Sequence, residues 1–391
     1  MMTNPAPAGV AELIEWLSGD ECHDAAGAAM LTGLGRRLRT LGLPIDRLSL
    51  SLRTLHPQIL ARTFAWSEGE PVEQRDRENA IEHQPFFAAN PIRRATEERS
   101  WLSLTTVGEI AKLEELDFFH GRGIAVAEVV PLLMGQGPAS AAVFATRRPE
   151  GFGADGRALL QRIVPALRSA CEVRLLRLTE ATLLDTYVGP LTGRRILEGH
   201  IRRGDVETLN AALLLCDLRD FTVLSNRLPP EQMLDRLNLY FDQLVPPIAA
   251  AGGEVLKFMG DAVLAFFHHE DGPEASCAAA FEAARQALAS IHSVSQAGTP
   301  LSAGVALHHG EVAYGNIGSG GRLDFTVIGR DVNLLSRIQT ACATTGQPLL
   351  MSPRFAALLD RPGSRSIGPH PLKGFAEPLE LFAWDAAQPL R

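Results

Sequence analysis

The chain has 391 residues, of which 46% are hydrophobic and 21% are charged, and its formal net charge is −8. This composition is typical of a globular protein with two or three domains, and it excludes a bulk basic surface for nucleic acid or anionic membranes. The longest apolar runs, such as "IAVAEVVPLLMG", are too short to cross a bilayer.

Two further features favour a cytoplasmic protein. The N-terminal segment "MMTNPAPAGVAELIEW" lacks the basic region and the apolar stretch of a signal peptide. The five cysteines are scattered and include no C-x-x-C pair, which fits reduced thiols rather than a disulfide framework or a zinc site. We therefore expect a cytoplasmic location, with neither nucleic acid nor a membrane among the partners.

Residues 9–174 are predicted to form a mixed α/β domain. "HDAAGAAMLTGLGRRLRTLG" has helical spacing, and "RLSLSLRTL" and "ILARTFAWS" alternate as two strands joined by a short turn. The charged segment "EQRDRENAIEHQPFFAANPIRRATEERS" is irregular and predicts a solvated loop or helix face. "PASAAVFATRRP" is a strand pattern, and a long helical pattern follows it. Residues 175–208, which are helical pieces interrupted by Gly-Pro and Gly, are predicted to be a connector.

Residues 209–385 are predicted to form an α+β domain. "AALLLCDL" is a continuous apolar strand, and the amphipathic helix after it is expected to bend at Pro246 and Pro247. "EVLKFMGDAVLAFF" predicts a hairpin that turns at Met259 and Gly260, and "LSAGVALHHGEVAYGNIG" predicts two more strands around His309-Gly310. With helices between them, these strands indicate an antiparallel sheet with helices on one face, a palm-like layer.

Two carboxylates are expected to meet at one edge of this sheet. Asp217 ends the apolar strand just before a helix start, and Asp261 lies at the turn of the hairpin. If the two strands are adjacent, the carboxylates repel each other unless a cation neutralises them. Hard oxygen ligands of this kind suit Mg²⁺ or Mn²⁺ carrying a nucleoside triphosphate. Either residue alone is better explained as a helix cap or a turn residue, so the metal prediction depends on the pair.

The helix "RDVNLLSRIQT" carries a polar pair opposite its apolar residues. Asn333 and Arg337 are four residues apart, so they stand together and point away from the core. A neutral donor beside a fixed cation suits an oxyanion that a partner surface supplies. A solvated polar face is the commoner role of such pairs.

Five segments of residues 209–385, in order, resemble the catalytic domain of class III nucleotidyl cyclases. They are "LLCDLRDFT", "LKFMGDAVLAFF", "GVALHHGEVAYGNIG", "DFTVIGRDVNLLSRI" and "PLKGFAEPLELF". The resemblance covers somewhat under half of the chain, and five separate elements make it specific. It implies a ferredoxin-like palm fold and an adenylate cyclase, in which the 3′-OH of ATP attacks the α-phosphate to give 3′,5′-cyclic AMP and pyrophosphate.

The resemblance implies a role for each matching residue. Asp217, Asp261 and the backbone carbonyl of Leu218 would bind two Mg²⁺ or Mn²⁺ ions per active site. The backbone N–H groups of Phe221 and Thr222 would hold the triphosphate.

The remaining matches concern the base, the ribose and the outer phosphates. Lys257 and Thr326 match the pair that reads the purine, and they select adenine because Lys donates to N1 while Thr accepts from the exocyclic amine. Asn333 would orient the ribose, Arg337 would stabilise charge on the α-phosphate, and Lys373 would contact the outer phosphates. The family architecture implies a head-to-tail homodimer, in which one subunit supplies the two aspartates and the other the base-reading and α-phosphate residues.

The chain departs from the family pattern at two places. Glu311 stands where many members have an Arg for phosphate contact, which shifts that contact to Lys373 and the backbone. "GRDVN" replaces the common "GD-x-VN", so that Arg330 and Asp331 should alter only the start of the helix. All the core catalytic positions are filled, which indicates an active enzyme.

The N-terminal region resembles a GAF-type sensor domain, chiefly through "ATRRPEGF" before a long helical pattern. This resemblance implies that residues 9–174 regulate the cyclase by binding an unidentified ligand. A dimerising scaffold without a ligand is the alternative. The connector resembles the helical element that passes the state of a sensor to a cyclase.

Two other functions stay open on the sequence alone. A guanylate cyclase is disfavoured by Lys257 and Thr326. A catalytically silent nucleotide-binding regulator would follow if Glu311 and Arg330 weaken phosphate or metal binding. A diguanylate cyclase shares the palm fold, but "AAGGEVLKFMGD" lacks the signature of that family at its hairpin turn.

Overall fold

The computed structural model of the chain describes residues 7–105, 107–114, 119, 121–135, 139–296 and 301–384. These residues fall into two compact units, Met1–Leu183 and Leu184–Arg391, and each unit has a sheet and a core of its own. None of the described helices combines the length and the apolarity that crossing a bilayer requires.

The N-terminal unit consists of helices packed on an antiparallel sheet. Its described elements are α1 (Pro7–Ser18), α2 (Asp20–Asp24), α3 (Gly27–Thr40), β1 (Arg47–Arg53), β2 (Ile59–Ser67), β3 (Glu73–Glu78), a short 3-10 helix (Asn79–His83), α4 (Pro85–Ala88), α5 (Pro91–Glu98), β4 (Leu102–Leu104), α6 (Val107–Glu114), β5 (Val126–Leu132), β6 (Ser140–Thr146) and α7 (Gly153–Val188). The strands lie in the order β3-β2-β1-β6-β5-β4. Because α7 is continuous, the predicted boundary between residues 174 and 175 falls inside one helix.

The two faces of β1 differ in chemistry, and this difference places the core. Leu48, Leu50 and Leu52 are buried in a core that β1 shares with α1, α3 and α7. Ser49 and Ser51 alternate with these leucines and therefore lie on the opposite face of the strand, where they line a cavity of about 500 Å³. The strand predicted from "RLSLSLRTL" is confirmed.

The charged segment after β2 is more regular than the sequence predicts. It forms the edge strand β3, the short 3-10 helix, α4 and α5, so the prediction of an irregular segment is wrong. β3 pairs with β2, and the guanidinium of Arg62 holds the carboxylate of Asp76 on the opposite strand through two contacts of 2.7 Å. Such cross-strand ion pairs allow a mostly exposed, charged segment to serve as an edge strand.

The C-terminal unit is also a sheet covered by helices. Its described elements are α8 (Pro190–Leu197), β7 (Val206–Leu218), α9 (Phe221–Ser225), α10 (Pro230–Ala250), β8 (Glu254–Met259), β9 (Ala262–Phe267), α11 (Pro273–Gln296), β10 (Ala303–Ser319), β11 (Arg322–Ile328), α12 (Arg330–Thr345), β12 (Leu349–Met351), α13 (Pro353–Leu359), β13 (Ser364–His370) and β14 (Leu379–Trp384). The strand order is β13-β14-β12-β10-β7-β9-β8, with β11 paired to β10. All pairs are antiparallel except β10 with β12.

The central strand β7 is apolar at successive positions because both of its faces are buried. Leu214 and Cys216 pack in a core with α10, α11 and α13. Leu213 and Leu215 pack on the opposite face with α12. The expectation of helices on a single face is therefore wrong, whereas the predicted α+β fold with a mainly antiparallel sheet is confirmed.

One continuous strand, β10, replaces the two strands expected around His309-Gly310. It pairs with β7 from Ala303 opposite Leu218 to Gly315 opposite Val206, so the chain stays extended through Gly310. Gly310 does not form a turn. It allows α12 to approach β10 closely, since a Cβ atom at this position would lie 2.0 Å from the carboxylate of Asp331 on α12.

The hairpin of β8 and β9 is confirmed, but its turn lies at Gly260 and Asp261, one position later than predicted, because Met259 pairs with Ala262. Gly260 has a φ of +69°, a left-handed conformation that glycine adopts without strain. The register of β8 shifts between Val255 and Lys257. Such irregularities redirect the side chains that follow them, and here the next side chain is that of Lys257.

Candidate active site

The sheet brings the two predicted metal-binding carboxylates together. β7 and β9 are adjacent, with Cys216 opposite Val263, so Asp217 at the end of β7 lies beside Asp261 in the turn before β9. The carboxyl groups of the two residues interact with each other. Burial, together with the neighbouring carboxyl group and negative charge of Asp217, raises the pKa of Asp261 to about 7.

This pair has the chemistry of a divalent cation site. The raised pKa means that two adjacent carboxylates cannot both ionise easily at neutral pH, and a bound cation would remove that conflict. Leu218 contributes its backbone N–H, which donates to the carboxylate of Asp261. The use of its carbonyl as a metal ligand stays a prediction.

The chain turns sharply after the carboxylate pair. Asp220 has a φ of +60°, which is uncommon for a residue with a side chain. This turn lets α9 begin at Phe221, only four positions after Asp217 along the chain. The first N–H groups of a helix have no partner within it, so Phe221 and Thr222 offer donors close to the carboxylate pair.

Lys257 contacts an acidic residue that the sequence did not predict. Its ammonium group forms an ion pair with the carboxylate of Asp324 on β11. Thr326, the predicted partner, lies two residues further along β11 and is buried. Residues two apart on a strand share a face, so this alternation was the one sequence signal that could have placed Asp324 beside Thr326.

Lys257 and Asp324 line a cavity of about 670 Å³ in the C-terminal unit, together with Phe258, Leu323 and Phe325. Phe258 is 52% exposed, which is unusual for a large aromatic side chain and leaves its ring available to a ligand. A mainly apolar cavity of this size with a few convergent polar groups is typical of a small-molecule site.

The predicted polar pair on α12 points away from the core, as the helical spacing indicated. Leu335 and Ile338 are buried against the sheet, while Asn333 is exposed and Arg337 is half-buried. Lys373 is exposed in the connection between β13 and β14. Among the described residues of one chain, no hydrogen bond or ion pair links α12's pair to the carboxylate pair or to Lys257.

The start of α12 is held by Asp331. One carboxylate oxygen accepts the backbone N–H of Glu311 at 2.8 Å, and the other lies 3.4 Å from Nε2 of His308. Nδ1 of His308 is 2.7 Å from Oγ of Ser352. Ser352 is 1% exposed and caps α13 through the N–H of Phe355, so this Ser-His-Asp arrangement is closed to any substrate and serves to position the helix.

In the N-terminal unit, the cavity of about 500 Å³ has a mixed wall. Ser49, Ser51 and Thr63 of the sheet contribute hydroxyl groups. Leu60 of β2, Phe87 of α4 and Ile92 of α5 contribute apolar groups, and the charged side chains of Arg53 and Arg93 lie among them. Arg53 and Arg93 are paired with Glu82 and Glu97. Its volume is that of a pocket for a small organic molecule.

Comparison with known proteins bears on the C-terminal unit. Residues 206–377 match the family model described as adenylate and guanylate cyclase catalytic domain. An adenylate cyclase from Anabaena cylindrica is 32% identical over 174 residues, which is 43% of this chain and 34% of that protein. Adenylate cyclase 1 from Rhizobium meliloti (strain 1021) is 28% identical over 201 residues, 49% of this chain and 30% of that protein. The chain thus spans about a third of the length of these relatives.

Solved structures of cyclases are similar to somewhat under half of the chain. The adenylyl cyclase CyaB from P. aeruginosa is 28% identical, and the alignment covers 47% of this chain and 97% of that one with a TM-score of 0.42. The guanylyl cyclase Cya2 is 30% identical, with 46% of this chain and 92% of that chain covered and a TM-score of 0.40. Residues 9–174 lie outside the family match, and their resemblance to a GAF domain stays a prediction.

Proposed function

We propose, from the premise that residues 206–377 are a class III nucleotidyl cyclase catalytic domain, that this chain is an adenylate cyclase that acts as a homodimer. The observation that carries the proposal is the placement of Asp217 and Asp261 side by side, at the end of β7 and in the turn before the adjacent strand β9. In the proposed reaction the 3′-oxygen of ATP bonds to its own α-phosphorus, and the bond from that phosphorus to the pyrophosphate oxygen breaks.

Asp217, Asp261 and the carbonyl of Leu218 would hold the cations, two Mg²⁺ or Mn²⁺ ions in each site. When bound, such ions supply positive charge near the attacking hydroxyl and the leaving pyrophosphate. The first N–H groups of α9, from Phe221 and Thr222, bind the triphosphate.

The remaining residues orient the substrate. Lys257 and Thr326 bind the adenine edge, and the cavity beside Lys257 supports this role because it is apolar and large enough for a purine ring. Asn333 orients the ribose, and Arg337 stabilises the charge that develops on the α-phosphate. Lys373 binds the outer phosphates, which is consistent with its exposure.

Regulation is proposed for the N-terminal unit. The cavity on the serine face of β1 supports it, since a partly open cavity of about 500 Å³ with both polar and apolar walls is typical of a small-molecule site. A small molecule bound there would alter the activity of the cyclase domain.

Replacing Asp217 tests the enzyme assignment. Asp217→Asn preserves size but removes one charge from the carboxylate pair, so cyclic AMP formation from ATP and Mn²⁺ should fall by about a hundred-fold or more. Asp242→Asn, the same change at an exposed position of α10, is the matched control and should leave the rate unchanged. No cyclic AMP from the unaltered protein, or equal rates from both variants, would overturn the assignment.

A further inference from the structure

Asn90 carries a buried amide group that is satisfied on one side only. The residue is 2% exposed, and its Oδ1 atom accepts the N–H of Ile92 at 2.7 Å, which caps α5. Its Nδ2 atom has no hydrogen-bond partner among the described residues. Asn90 also lines the cavity of the N-terminal unit. Because a buried donor without a partner is costly, a ligand that offers an acceptor in this cavity would relieve the cost.

Small side chains on the sheet make room for such a ligand. Ser49, Ser51, Ala61 and Ala141 line the cavity from three adjacent strands. Ser51 of β1 lies opposite both Thr63 of β2 and Ala141 of β6, so these short side chains form one continuous floor. The hydroxyl of Thr63 donates to that of Ser51 at 3.2 Å, which leaves the hydrogen of the Ser51 hydroxyl for an acceptor on the ligand.

The charged side chains of the cavity carry an excess of positive charge. Among the described residues that line it, the arginines at positions 53, 77 and 93 outnumber the glutamates at positions 82 and 97. Nη2 of Arg53 lies 3.0 Å from the carboxylate of Glu82, and Nε of Arg93 lies 2.6 Å from that of Glu97. A guanidinium has five N–H donors, so each of these pairs leaves donors that can bind a carboxylate. This balance favours an anionic ligand.

Aromatic groups lie beside the positive charge. Phe87 and Phe119 both line the cavity, and the guanidinium of Arg93 lies 5.8 Å from the centre of the Phe87 ring. Phe119 is 1% exposed, so the apolar part of the wall is inside the unit. A ligand that fits these surroundings has a flat apolar body and an anionic group attached to it.

We propose that the cavity of the N-terminal unit binds a small aromatic carboxylate. Its ring packs on Phe87 and Phe119, its carboxylate binds the guanidinium groups of Arg53 and Arg93, and one of its oxygen atoms accepts from Nδ2 of Asn90. This inference deepens the proposed regulation by the N-terminal unit, and it rests on that proposal for any effect on the cyclase domain.

Calorimetric titration of the full chain tests the ligand class. The probes are benzoate, naphthalene-2-carboxylate and indole-3-acetate, each with the corresponding neutral primary amide. At least one carboxylate should bind once per chain, and its amide should bind about ten-fold more weakly or worse, because the amide loses the charge-assisted hydrogen bonds to the arginines. The proposal is wrong if none of the three carboxylates binds, or if the amides bind as tightly as the acids.

Two variants of Asn90 test the position of the ligand. Asn90→Ser keeps a side chain that caps helices well but lacks the Nδ2 donor, so the affinity for the carboxylate should fall by about ten-fold with the melting temperature nearly unchanged. Asn90→Asp also keeps the cap and places a negative charge beside the anion, so binding should fall further. Unchanged affinity in both variants would place the ligand elsewhere and overturn the proposal.

Arg93→Gln and Arg62→Gln form a matched pair. Arg93 lines the cavity, whereas Arg62 pairs with Asp76 on the same sheet and is not among the described residues that line it. The first variant should lose about ten-fold in affinity for the carboxylate, and the second should bind it as the unaltered protein does. Equal affinities in the two variants would contradict the role of the cavity's positive charge.

Binding and activity are measured separately, so the two proposals can fail separately. If a carboxylate binds as described but leaves the rate of cyclic AMP formation unchanged, the proposed regulation fails and the ligand assignment stands. If no probe binds, the ligand assignment fails, whatever the rate of the cyclase domain. If the unaltered protein forms no cyclic AMP, the cyclase assignment fails while the titrations still decide the ligand.

Discussion

His309 is a buried imidazole whose two ring nitrogens have no hydrogen-bond partner among the described residues. It is 2% exposed on β10. Burial lowers the pKa of His309 to about 4, and the nearby charge of Arg354 acts in the same direction, followed by that of His308 if protonated. Asp331 and Glu274 oppose the shift without reversing it. The folded protein therefore holds this side chain neutral.

Stability should fall as the pH is lowered from about 6.5 towards 4, because the unfolded chain binds a proton on His309 in this range and the folded protein does not. This stabilisation is fully present above the pKa of His309 in the unfolded chain, 6.5, and is lost progressively as the pH falls from there towards 4. With about 1.4 kcal/mol for each pKa unit, the residue accounts for up to about 3 kcal/mol. Urea unfolding of His309→Phe at several pH values should give a flatter dependence than that of the unaltered protein, and parallel curves would contradict the prediction.

Asp324 shows where prediction from residue patterns ends. Asp217, Lys257 and Asn333 could be proposed as site residues because each belongs to a segment that resembles a motif of the cyclase family. Alternation along β11 places Asp324 and Thr326 on one face of the strand, but it does not tell which of the two side chains reaches the ammonium of Lys257. That contact depends on how β8 lies relative to β11, which only the three-dimensional structure reveals.

At the level of elements, the position of α12 depends on a few polar contacts. Asp331 ties the first turn of this helix to the backbone of Glu311 and to His308 on β10. Gly310 leaves the space that the Asp331 carboxylate fills. Since α12 carries Asn333, which is proposed to orient the ribose, its anchoring should affect turnover.

Asp331→Ala should reduce kcat by about ten-fold with little change in KM, because a loosened helix misplaces groups that act in the transition state. The lost hydrogen bond should also lower the free energy of unfolding by about 1–2 kcal/mol. Asp331→Asn keeps an acceptor for the Glu311 N–H and should recover most of both quantities. If both variants lost kcat to the same extent, the charge of Asp331 would be responsible, and the hydrogen bond that anchors α12 would not.

Local patterns predicted most strands and helices but not every boundary between them. β1, β2 and the β8–β9 hairpin follow from alternation and from turn residues. β3 was missed because a strand of charged residues resembles a loop until its partner strand is known. The sequence predicts two strands in place of β10 because a glycine that permits a close helix contact cannot be told from a glycine in a turn by its neighbours along the chain.

On the scale of the whole molecule, the proposed active site needs two chains. Asn333 and Arg337 face outward, and their side chains contact neither the carboxylate pair nor Lys257 among the described residues. A closed two-fold arrangement would place the α12 of one subunit against the aspartates of the other and would create two equivalent sites. The family resemblance predicted this arrangement, and the outward direction of α12's polar pair supports it.

Mixing two inactive variants tests the shared site. Asp217→Ala removes a metal ligand and Arg337→Ala removes the α-phosphate contact, so each homodimer should be inactive. In a heterodimer one site carries both defects and the other carries none. Random pairing of equal amounts makes about half of the dimers heterodimers. The mixture should therefore recover about a quarter of the unaltered activity in a cyclic AMP assay.

A second mixture controls for non-specific recovery. Asp217→Ala and Asp261→Ala both damage the aspartate side of the site, so in their heterodimer each site lacks one carboxylate and neither can work. This mixture should stay inactive at every ratio of the two variants. Recovery in both mixtures would indicate exchange or stabilisation effects, and recovery in neither would place all the catalytic groups within one chain. Only recovery confined to the Asp217→Ala and Arg337→Ala mixture fits a site built from α12 of one subunit and the β7–β9 edge of the other.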